Sequence, residues 1–267
     1  MSGLVFQLKE RPEQRLDLSP LTPHRLADLS LREIEALDVA TTRTLVSVGD
    51  LFRIKGSDPA TIRIAGSDDR CDRIGWALSQ GEIVVDGDAG AYVGGGMSGG
   101  RIVVRGSAGI GAGGAMAGGQ LEIAGDVDER AGGPVVGETF GMRGGRLVIK
   151  GNAGPMLGER MRRGLIVVVG DAGDYAGARV VAGTLIVQGR VGRLAGYGMR
   201  RGSMILSQKP KDLLPTFGDC GILDFDYLAL LERGLRQSGI RVGLGDRARR
   251  YMGDMAVLGK GEMLVLA

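Results

Sequence analysis

Few residues of this 267-residue chain could do chemistry, and their spacing does not assemble a catalytic site. His24 is the single histidine, and Cys71 and Cys220 lie far apart without a CxxC motif. A zinc site needs three or four such ligands together, and no Ser-His-Asp arrangement can be assembled in the glycine-rich part. We therefore expect no catalytic residue and no bound metal, and reduced thiols as in a cytoplasmic protein.

Two other patterns resemble sites without being convincing ones. Gly109, Gly111 and Gly114 match the G-x-G-x-x-G pattern of dinucleotide-binding loops, but no helix opens there. Several carboxylates lie beside glycines, with no matched pair on one outward strand, unlike the carboxylate clusters of pectin-cleaving β-helices. We expect turn roles for these residues, which are Asp86, Asp88, Asp171 and Asp174.

One group of arginines recurs at a fixed position of a repeat. Arg143 and Arg162 occupy this position in adjacent units, and Arg200 returns to it two units later. Stacked like charges repel, so either acids such as Glu138 and Glu159 neutralise them or an anionic partner does. Nucleic acid is not the expected partner, because interleaved aromatic residues are missing and the net charge is only +3. The candidate residues for binding such a partner are Arg143, Arg146, Arg162, Arg163, Arg200 and Arg201.

A 19-residue repeat positions these side chains. Each unit opens with a glycine followed by an apolar triplet, and the openers are 19, 19, 26, 19, 19 and 19 residues apart. One unit therefore carries seven extra residues. No ten-residue helical pattern fits between the glycines, so the period predicts a β-solenoid. The openers are Gly81, Gly100, Gly119, Gly145, Gly164, Gly183 and Gly202.

The triplets predict which side chains point into the solenoid. The second and fourth positions after each opener are apolar throughout and should fill a narrow, dry bore. The third position should face outward, yet it is apolar in six of seven units, with Glu122 as the exception. Either the chain's own N- or C-terminal segment covers this strip, or another subunit does. The candidate interface strip comprises Val84, Val103, Val148, Val167, Ile186 and Ile205.

The repeat predicts an all-β protein in three parts. Residues 1–50 form an irregular cap with a short amphipathic helix between Leu26 and Leu37. Residues 51–206 form a parallel β-helix whose imperfect first rungs are 52–54 and 61–64. Residues 207–267 form a connector, a helix over 226–238 and a tail strand over 262–266. The helical spacing puts Tyr227, Leu230, Leu231 and Leu235 on an apolar side and Glu232, Arg233 and Arg236 on the opposite, charged side. The first ten residues lack the apolar run of a signal peptide, and no apolar stretch is long enough to span a bilayer, so we expect a cytoplasmic protein away from membranes.

Two features carry a resemblance to a known family. The motif G-G-x-I-x-V-x-G-x-A-G-x-x-x-G-x-x-M, as in 99–116 and 144–161, resembles the glycine-repeat β-helix at the C-terminus of the glutamate synthase large subunit. The chain length and the tail at 213–221, Leu-Leu-Pro-Thr-Phe-Gly-Asp-Cys-Gly, resemble the C subunit of formylmethanofuran dehydrogenase and of its bacterial relative, the formyltransferase/hydrolase complex. The resemblance covers roughly residues 45 to 240.

This resemblance implies a right-handed parallel β-helix that serves as a non-catalytic scaffold subunit. The bacterial complex passes formyl groups from formyl-tetrahydromethanopterin to a methanofuran-type carrier and hydrolyses the product to formate. Formyl transfer and zinc-dependent hydrolysis belong to other subunits, namely amidohydrolase-like A, B, and formyltransferase D. The carrier bears a polyglutamate tail, which the arginines could contact. The alternatives are the C subunit of the archaeal molybdenum or tungsten enzyme, a glutamate synthase-like scaffold, and a polysaccharide-active β-helix enzyme.

Overall fold

Thirteen strands join one long sheet in this computed structural model, which describes residues 3–237 and 239–267. The strands are β1 (Gly3–Leu8), β2 (Leu16–Asp17), β3 (Asp38–Thr41), β4 (Leu45–Ser47), β5 (Phe52–Lys55), β6 (Asp58–Ser67), β7 (Cys71–Asp72), β8 (Glu82–Gly87), β9 (Arg101–Val104), β10 (Gln120–Ile123), β11 (Arg143–Ile149), β12 (Arg163–Val168), β13 (Thr184–Val187), β14 (Arg201–Leu206), β15 (Gly218–Asp224), β16 (Arg247–Gly253) and β17 (Lys260–Leu266). The helices are α1 (Pro23–Leu26), α2 (Leu31–Glu35), α3 (Val48–Leu51) and α4 (Asp226–Gln237).

Parallel pairing runs through the repeat without interruption. The order β6-β8-β9-β10-β11-β12-β13-β14 follows the chain, and each strand pairs in parallel with the next. Ile83 pairs with Ile102, and Leu121 with Leu147, so equivalent positions of successive units lie side by side. A second column of parallel bridges links the small residues of the next side, namely Ala89, Ala108, Val127, Ala153, Ala172 and Val191. The predicted parallel β-helix is confirmed.

The interior of the rod is filled by the side chains that the repeat pointed inward. The second and fourth residues after each opening glycine are buried in every unit, as with Ile83 and Val85. The residue three positions before each opener is buried as well, and in five of the seven units it is a methionine, such as Met97 or Met161. Burial of this apolar surface supplies the main stabilisation of the rod. The packed bore leaves no room for a site inside it.

Glycine is required where successive turns approach most closely. At Gly151, a Cβ atom would lie 2.6 Å from the carbonyl carbon and oxygen of Gly125 in the preceding rung. Real Cβ atoms do not approach backbone atoms this closely, so no other residue fits without separating the rungs. Five of the other six units also have glycine at this position, namely Gly87, Gly106, Gly125, Gly170 and Gly189, and the last unit has Gln208.

A ladder of side chains runs beside this glycine column. Asp88 Oδ1 accepts a hydrogen bond from the N–H of the equivalent residue one rung later, at 2.7 Å, and Asp174 does the same for Arg193 at 2.7 Å. The turn role predicted for Asp88, Asp171 and Asp174 is thus confirmed. Asp86 differs, because it forms ion pairs with arginines of neighbouring strands. The ladder continues through Ser107, Asp126, Asn152 and Asp171 to Arg190.

The N-terminal segment caps the first rung. β1 pairs in parallel with β6 and antiparallel with β5. The expected rung at 61–64 is confirmed in β6, but the expected rung at 52–54 is wrong, since β5 turns back against β1. The helix expected between Leu26 and Leu37 divides into α1 and α2, and Ser30 begins α2 with a capping box to Glu33. A small second sheet has the order β4-β3-β2-β7.

The C-terminal segment closes the other end of the rod. β17 pairs in parallel with β14 as a further rung, which confirms the tail strand. β16 pairs antiparallel with β17, and β15 with β16; neither was foreseen from the sequence. The expected helix is α4, while Ser238 at its expected end lies outside the described residues. The chain between β14 and β17 therefore returns along the outside of the sheet.

We predict that Gly151→Ala lowers the free energy of unfolding by about 1–3 kcal/mol, because the added methyl group forces two rungs apart. Urea unfolding followed by circular dichroism measures the change. Gly218→Ala is the matched control, since a Cβ atom there meets nothing within 4 Å and its backbone does not have a positive φ. Equal effects of the two substitutions would contradict the close stacking of the rungs.

Candidate partner-docking surfaces

The outward strip divides into a covered half and an open half. Val148, Val167, Ile186 and Ile205 are at most 2% exposed. They pack in a second apolar cluster with residues of α4 and the segment that follows it. The prediction of a subunit interface is therefore wrong for these four, because the chain's own C-terminal segment covers them. Val84 and Val103 remain half-exposed and stay candidate interface residues.

Glu232 holds α4 and the segment after it together over the outward strip. Leu228, Glu232 and Leu235 are the buried residues of α4, while Tyr227 and Leu230 are exposed. The sequence assigned Glu232 to the solvent side and Tyr227 and Leu230 to the buried side, which is wrong for all three. The Glu232 carboxylate accepts hydrogen bonds from the N–H groups of Gly243 and Leu244, at 3.0 and 3.4 Å.

Arg236 completes the environment of this carboxylate, with Nε 2.8 Å from Glu232 Oε1. Burial alone would raise the pKa of Glu232, but the Arg236 hydrogen bond and the two N–H donors lower it below the ordinary glutamate value. The ionised carboxylate therefore ties the helix to the segment after it, and the two together seal the apolar strip.

The six arginines proposed from the sequence form an exposed edge, here called the arginine edge. The backbone N–H groups of Arg143, Arg162 and Arg200 donate to the carbonyl of the preceding rung at 2.7, 2.8 and 2.8 Å. This shared pattern confirms that the three occupy one stacked position. Arg143 and Arg163 are also register partners in neighbouring strands. Arg146 is half-buried, whereas the other five side chains are exposed.

The arginine edge is barely neutralised by the chain itself. Arg143 lies 3.7 Å from Glu138. Within the part of the chain that the structure describes, the other five have no carboxylate within ion-pair distance. Glu159, which the sequence offered as a second neutralising acid, instead pairs with Arg179 at 3.2 Å. The edge therefore carries a surplus of positive charge available to an anionic partner.

A cleft adjoins the arginine edge, since Arg200 belongs to both. It has a volume of about 530 Å³ and lies between the loop 133–140, which contains the seven-residue insertion, and the loop 254–259. Arg162 lies over the Phe140 ring at 4.9 Å, and Arg179 over the Tyr197 ring at 6.0 Å. We call it the arginine cleft; its walls include Phe140, Arg160, Arg179, Tyr197, Arg200 and Val257.

The two carboxylates near the arginine cleft are engaged within the protein. Glu159 is 7% exposed and faces Arg179, and Asp254 is 2% exposed. Asp254 accepts hydrogen bonds from the N–H groups of Gly198 at 3.0 Å and Ala256 at 2.9 Å. Burial acts to raise the pKa of Asp254, but the nearby Thr216 hydroxyl and these two donors lower it overall. Asp254 therefore stays ionised, and both side chains are held in place by partners within the protein.

No cluster of three His, Cys, Asp or Glu residues that could hold a metal occurs among the described residues. Burial raises the pKa of the Cys71 thiol, which disfavours the reactive thiolate, while Cys220 lies exposed in β15. No described helix is long and apolar enough to cross a membrane.

Known proteins share this architecture. A family model described as the GXGXG motif matches residues 33–219. The chain belongs to the GXGXG family. A solved chain with the same fold and 44% identity has a TM-score of 0.92 and covers 98% of this GXGXG chain and 99% of its own length. It comes from the X-ray crystal structure of the formyltransferase/hydrolase complex (FhcABCD) from Methylorubrum extorquens in complex with methylofuran.

Curated relatives of this GXGXG chain align over shorter stretches. The C subunit of the formyltransferase/hydrolase complex Fhc of Methylorubrum extorquens is 44% identical over 86 residues, 32% of each chain. The C subunit of the tungsten-containing formylmethanofuran dehydrogenase 2 of Methanococcus maripaludis is 33% identical over 95 residues, 35% of each chain. These alignments span about a third of the curated relatives. The resemblance to these C subunits drawn from the repeat and the tail is confirmed.

Two arginines of the cleft, Arg160 and Arg179, were not predicted from the sequence, although the repeat contains the signal that identifies them. Arg160 and Arg179 share one repeat position, fifteen residues after their openers, just as the arginine edge shares another. Phe140 and Tyr197 are harder to predict from the sequence. Phe140 lies in the insertion, outside the regular repeat, and Tyr197 reaches the cleft only because successive rungs stack. The GXGXG repeat thus presents arginine and aromatic side chains side by side, whereas interleaved aromatic residues were not expected from the sequence.

We predict that Glu232→Ala loosens the cover over the outward strip, since it leaves the N–H groups of Gly243 and Leu244 without their acceptor. The expected loss is about 1–3 kcal/mol in the free energy of unfolding. Because the pKa of Glu232 is lowered by folding, the stabilisation is present above about pH 5 and lost as pH falls below about 4. Hydrogen exchange of residues 226–244 measures it.

Arg233→Gln is the control for this prediction, because Arg233 lies exposed on the same helix. It should leave exchange in α4 unchanged at every pH. The readout is the protection factor, which corrects the exchange rate for its intrinsic pH dependence. Wild-type protection of α4 that does not fall on acidification, or a Glu232→Ala variant with wild-type protection at pH 7, would contradict the role of Glu232.

Proposed function

We propose that this chain is the non-catalytic scaffold subunit of a formyltransferase/hydrolase complex. The match that carries this proposal is the solved chain of the FhcABCD complex, which is 44% identical over nearly the full length of both chains. The packed bore and the dispersed nucleophiles support a structural role. The arginine edge, the arginine cleft and the open half of the outward strip are then sites at which other subunits dock.

The complex would pass formyl groups from formyl-tetrahydromethanopterin to a methanofuran-type carrier and hydrolyse the carrier-bound formyl group to formate. The formyl transfer and the zinc-dependent hydrolysis would take place in the cytoplasm on the partner subunits, which are amidohydrolase-like A, B, and formyltransferase D. The described part of this chain contributes no metal-ligand cluster, in keeping with zinc on a partner. Its own role is to fix the positions of those subunits.

The arginine edge would contact the polyglutamate tail of the carrier. Five of its six guanidinium groups have no carboxylate partner among the described residues, so it offers unneutralised donors along one line. Arginine forms strong charge-assisted hydrogen bonds with carboxylates. A tail of repeated carboxylates matches a row of repeated arginines.

The archaeal tungsten enzyme is the second candidate setting. Its C subunit from Methanococcus maripaludis is 33% identical over 95 residues. The bacterial form is better supported, because the similarity to the solved Methylorubrum extorquens chain is higher and extends over 98% of this chain. A glutamate synthase-like scaffold or a polysaccharide-active enzyme finds no comparable support.

Affinity purification of the full chain from its native host tests the scaffold proposal. We predict that larger subunits co-purify in fixed proportions, that mass spectrometry identifies them as formyltransferase and amidohydrolase homologues, and that the isolated chain has no formyl-transfer or hydrolase activity. Recovery of the chain alone as a monomer, or with glutamate synthase subunits, would contradict the proposal.

The carrier contact is tested with Arg163→Gln/Arg201→Gln in the purified complex. Both side chains are exposed and lie outside the arginine cleft. We predict about 3- to 30-fold weaker carrier binding, at about 0.2–1 kcal/mol for each exposed pair that is lost. Arg53→Gln/Arg233→Gln removes the same charge elsewhere and should leave the affinity unchanged. Equal affinity of both double variants for the carrier would show that the arginine edge is a solvated face that does not bind the carrier.

A further inference from the structure

The arginine cleft differs from the arginine edge in the chemistry of its walls. Arg160, Arg179 and Arg200 line it, whereas Asp254, the one acid among its described lining residues, is 2% exposed and hydrogen-bonded within the protein. The neighbouring Glu159 is 7% exposed and paired with Arg179. Apolar surface lies next to this charge, with Tyr197 44% exposed and Val257 49% exposed. A binding site for small ions would not need these apolar walls.

The loops on both sides of the cleft extend the apolar surface. Met255 and Leu258 are 58% and 47% exposed beside Val257, and Val136 at the tip of the insertion is 91% exposed. Large apolar side chains concentrated in two neighbouring loops mark a contact surface. Asp254 holds the loop 254–259 in place, because its carboxylate accepts hydrogen bonds from the N–H groups of Gly198 and Ala256. The loop is therefore fixed before a partner binds.

Two arginines of the cleft are also pre-positioned. Arg160 Nη1 donates to the Thr139 carbonyl at 3.4 Å, and its Nε lies 4.0 Å from Glu159 Oε1. Arg179 is held between the Glu159 carboxylate at 3.2 Å and the Tyr197 ring. Such stacking keeps the guanidinium plane oriented, and the ordering cost is then met before binding. The cleft of about 530 Å³ falls within the usual range for binding sites and accommodates a few residues of an extended chain.

We propose that the arginine cleft docks an extended segment of a partner protein in which carboxylates alternate with large apolar residues. The carboxylates pair with Arg160 and Arg200, and the apolar residues pack against Tyr197 and Val257. Alternation matches an extended chain, whose successive side chains point to opposite sides. The inference builds on the proposed scaffold function and specifies the kind of segment that a neighbouring protein of the complex contributes.

Fluorescence anisotropy with the full chain and labelled peptides of about eight residues tests this proposal. The probes alternate Glu with Leu, Glu with Ser, or Lys with Leu. We expect the Glu-Leu peptide to bind at least about 10-fold more tightly than either of the others, because it alone uses both the charge and the apolar walls. Equal binding of the Glu-Ser peptide would overturn the proposal in favour of a general polyanion site.

Two variants locate the binding. Arg160→Gln removes a charge, and Val257→Glu places a repelling carboxylate on the apolar wall. Each is expected to weaken Glu-Leu binding about 3- to 10-fold, and Arg160→Lys should restore part of the loss. Arg179 is left in place because it makes the closer pair with the buried Glu159, at 3.2 Å, whereas Arg160 lies 4.0 Å from the same carboxylate. Arg233→Gln on α4 is the control and should bind like the wild type.

Binding that is insensitive to both variants, no binding at all, or tighter binding of a single-stranded oligodeoxynucleotide that Arg160→Gln abolishes would each overturn the proposal. The outcome of the peptide experiment is independent of the outcome of the purification experiment. Peptide binding without co-purifying subunits would contradict the scaffold function and support the cleft, whereas co-purification with no peptide binding would support the scaffold function and contradict the cleft.

Discussion

The structure depends on the stacking of each rung on the one before it through parallel backbone hydrogen bonds. At the turn after each triplet, successive rungs come so close that a Cβ atom does not fit, as at Gly151 against Gly125. Once they do so, every repeat position becomes a column. The columns of Ile, Val and Met form the dry interior, and the Asp, Ser and Asn column ties neighbouring turns together.

The same constraint determines what the chain can do. A bore filled by stacked apolar side chains has no space for substrate, and the remaining chemistry is displayed on the outside. Because positions stack, an arginine that recurs in the repeat becomes a line of positive charge rather than a scattered surface charge. The insertion and the loop 254–259 then turn one stretch of this surface into a cleft. A rigid rod with charged and apolar docking surfaces suits a protein that holds others in position.

The sequence predicted what the repeat determines and failed where one part of the chain covers another. Val84 and Val167 occupy the same repeat position, yet Val84 is half-exposed and Val167 is fully buried. Nothing within either unit distinguishes them, since the difference arises from α4 lying over only one end of the rod. The facing of α4 was misjudged for a related reason. Glu232 is buried because Gly243 and Leu244 supply N–H donors, a tertiary contact that helical periodicity does not report.

A structure of the native assembly, purified through this chain and determined by cryo-electron microscopy, tests the central claim most directly. The account predicts that atoms of other subunits contact the arginine edge and fill the arginine cleft between the insertion and the loop 254–259, and that the reacting groups lie entirely on those subunits. An assembly in which both surfaces face solvent, or in which side chains of this chain line a catalytic centre, would contradict it.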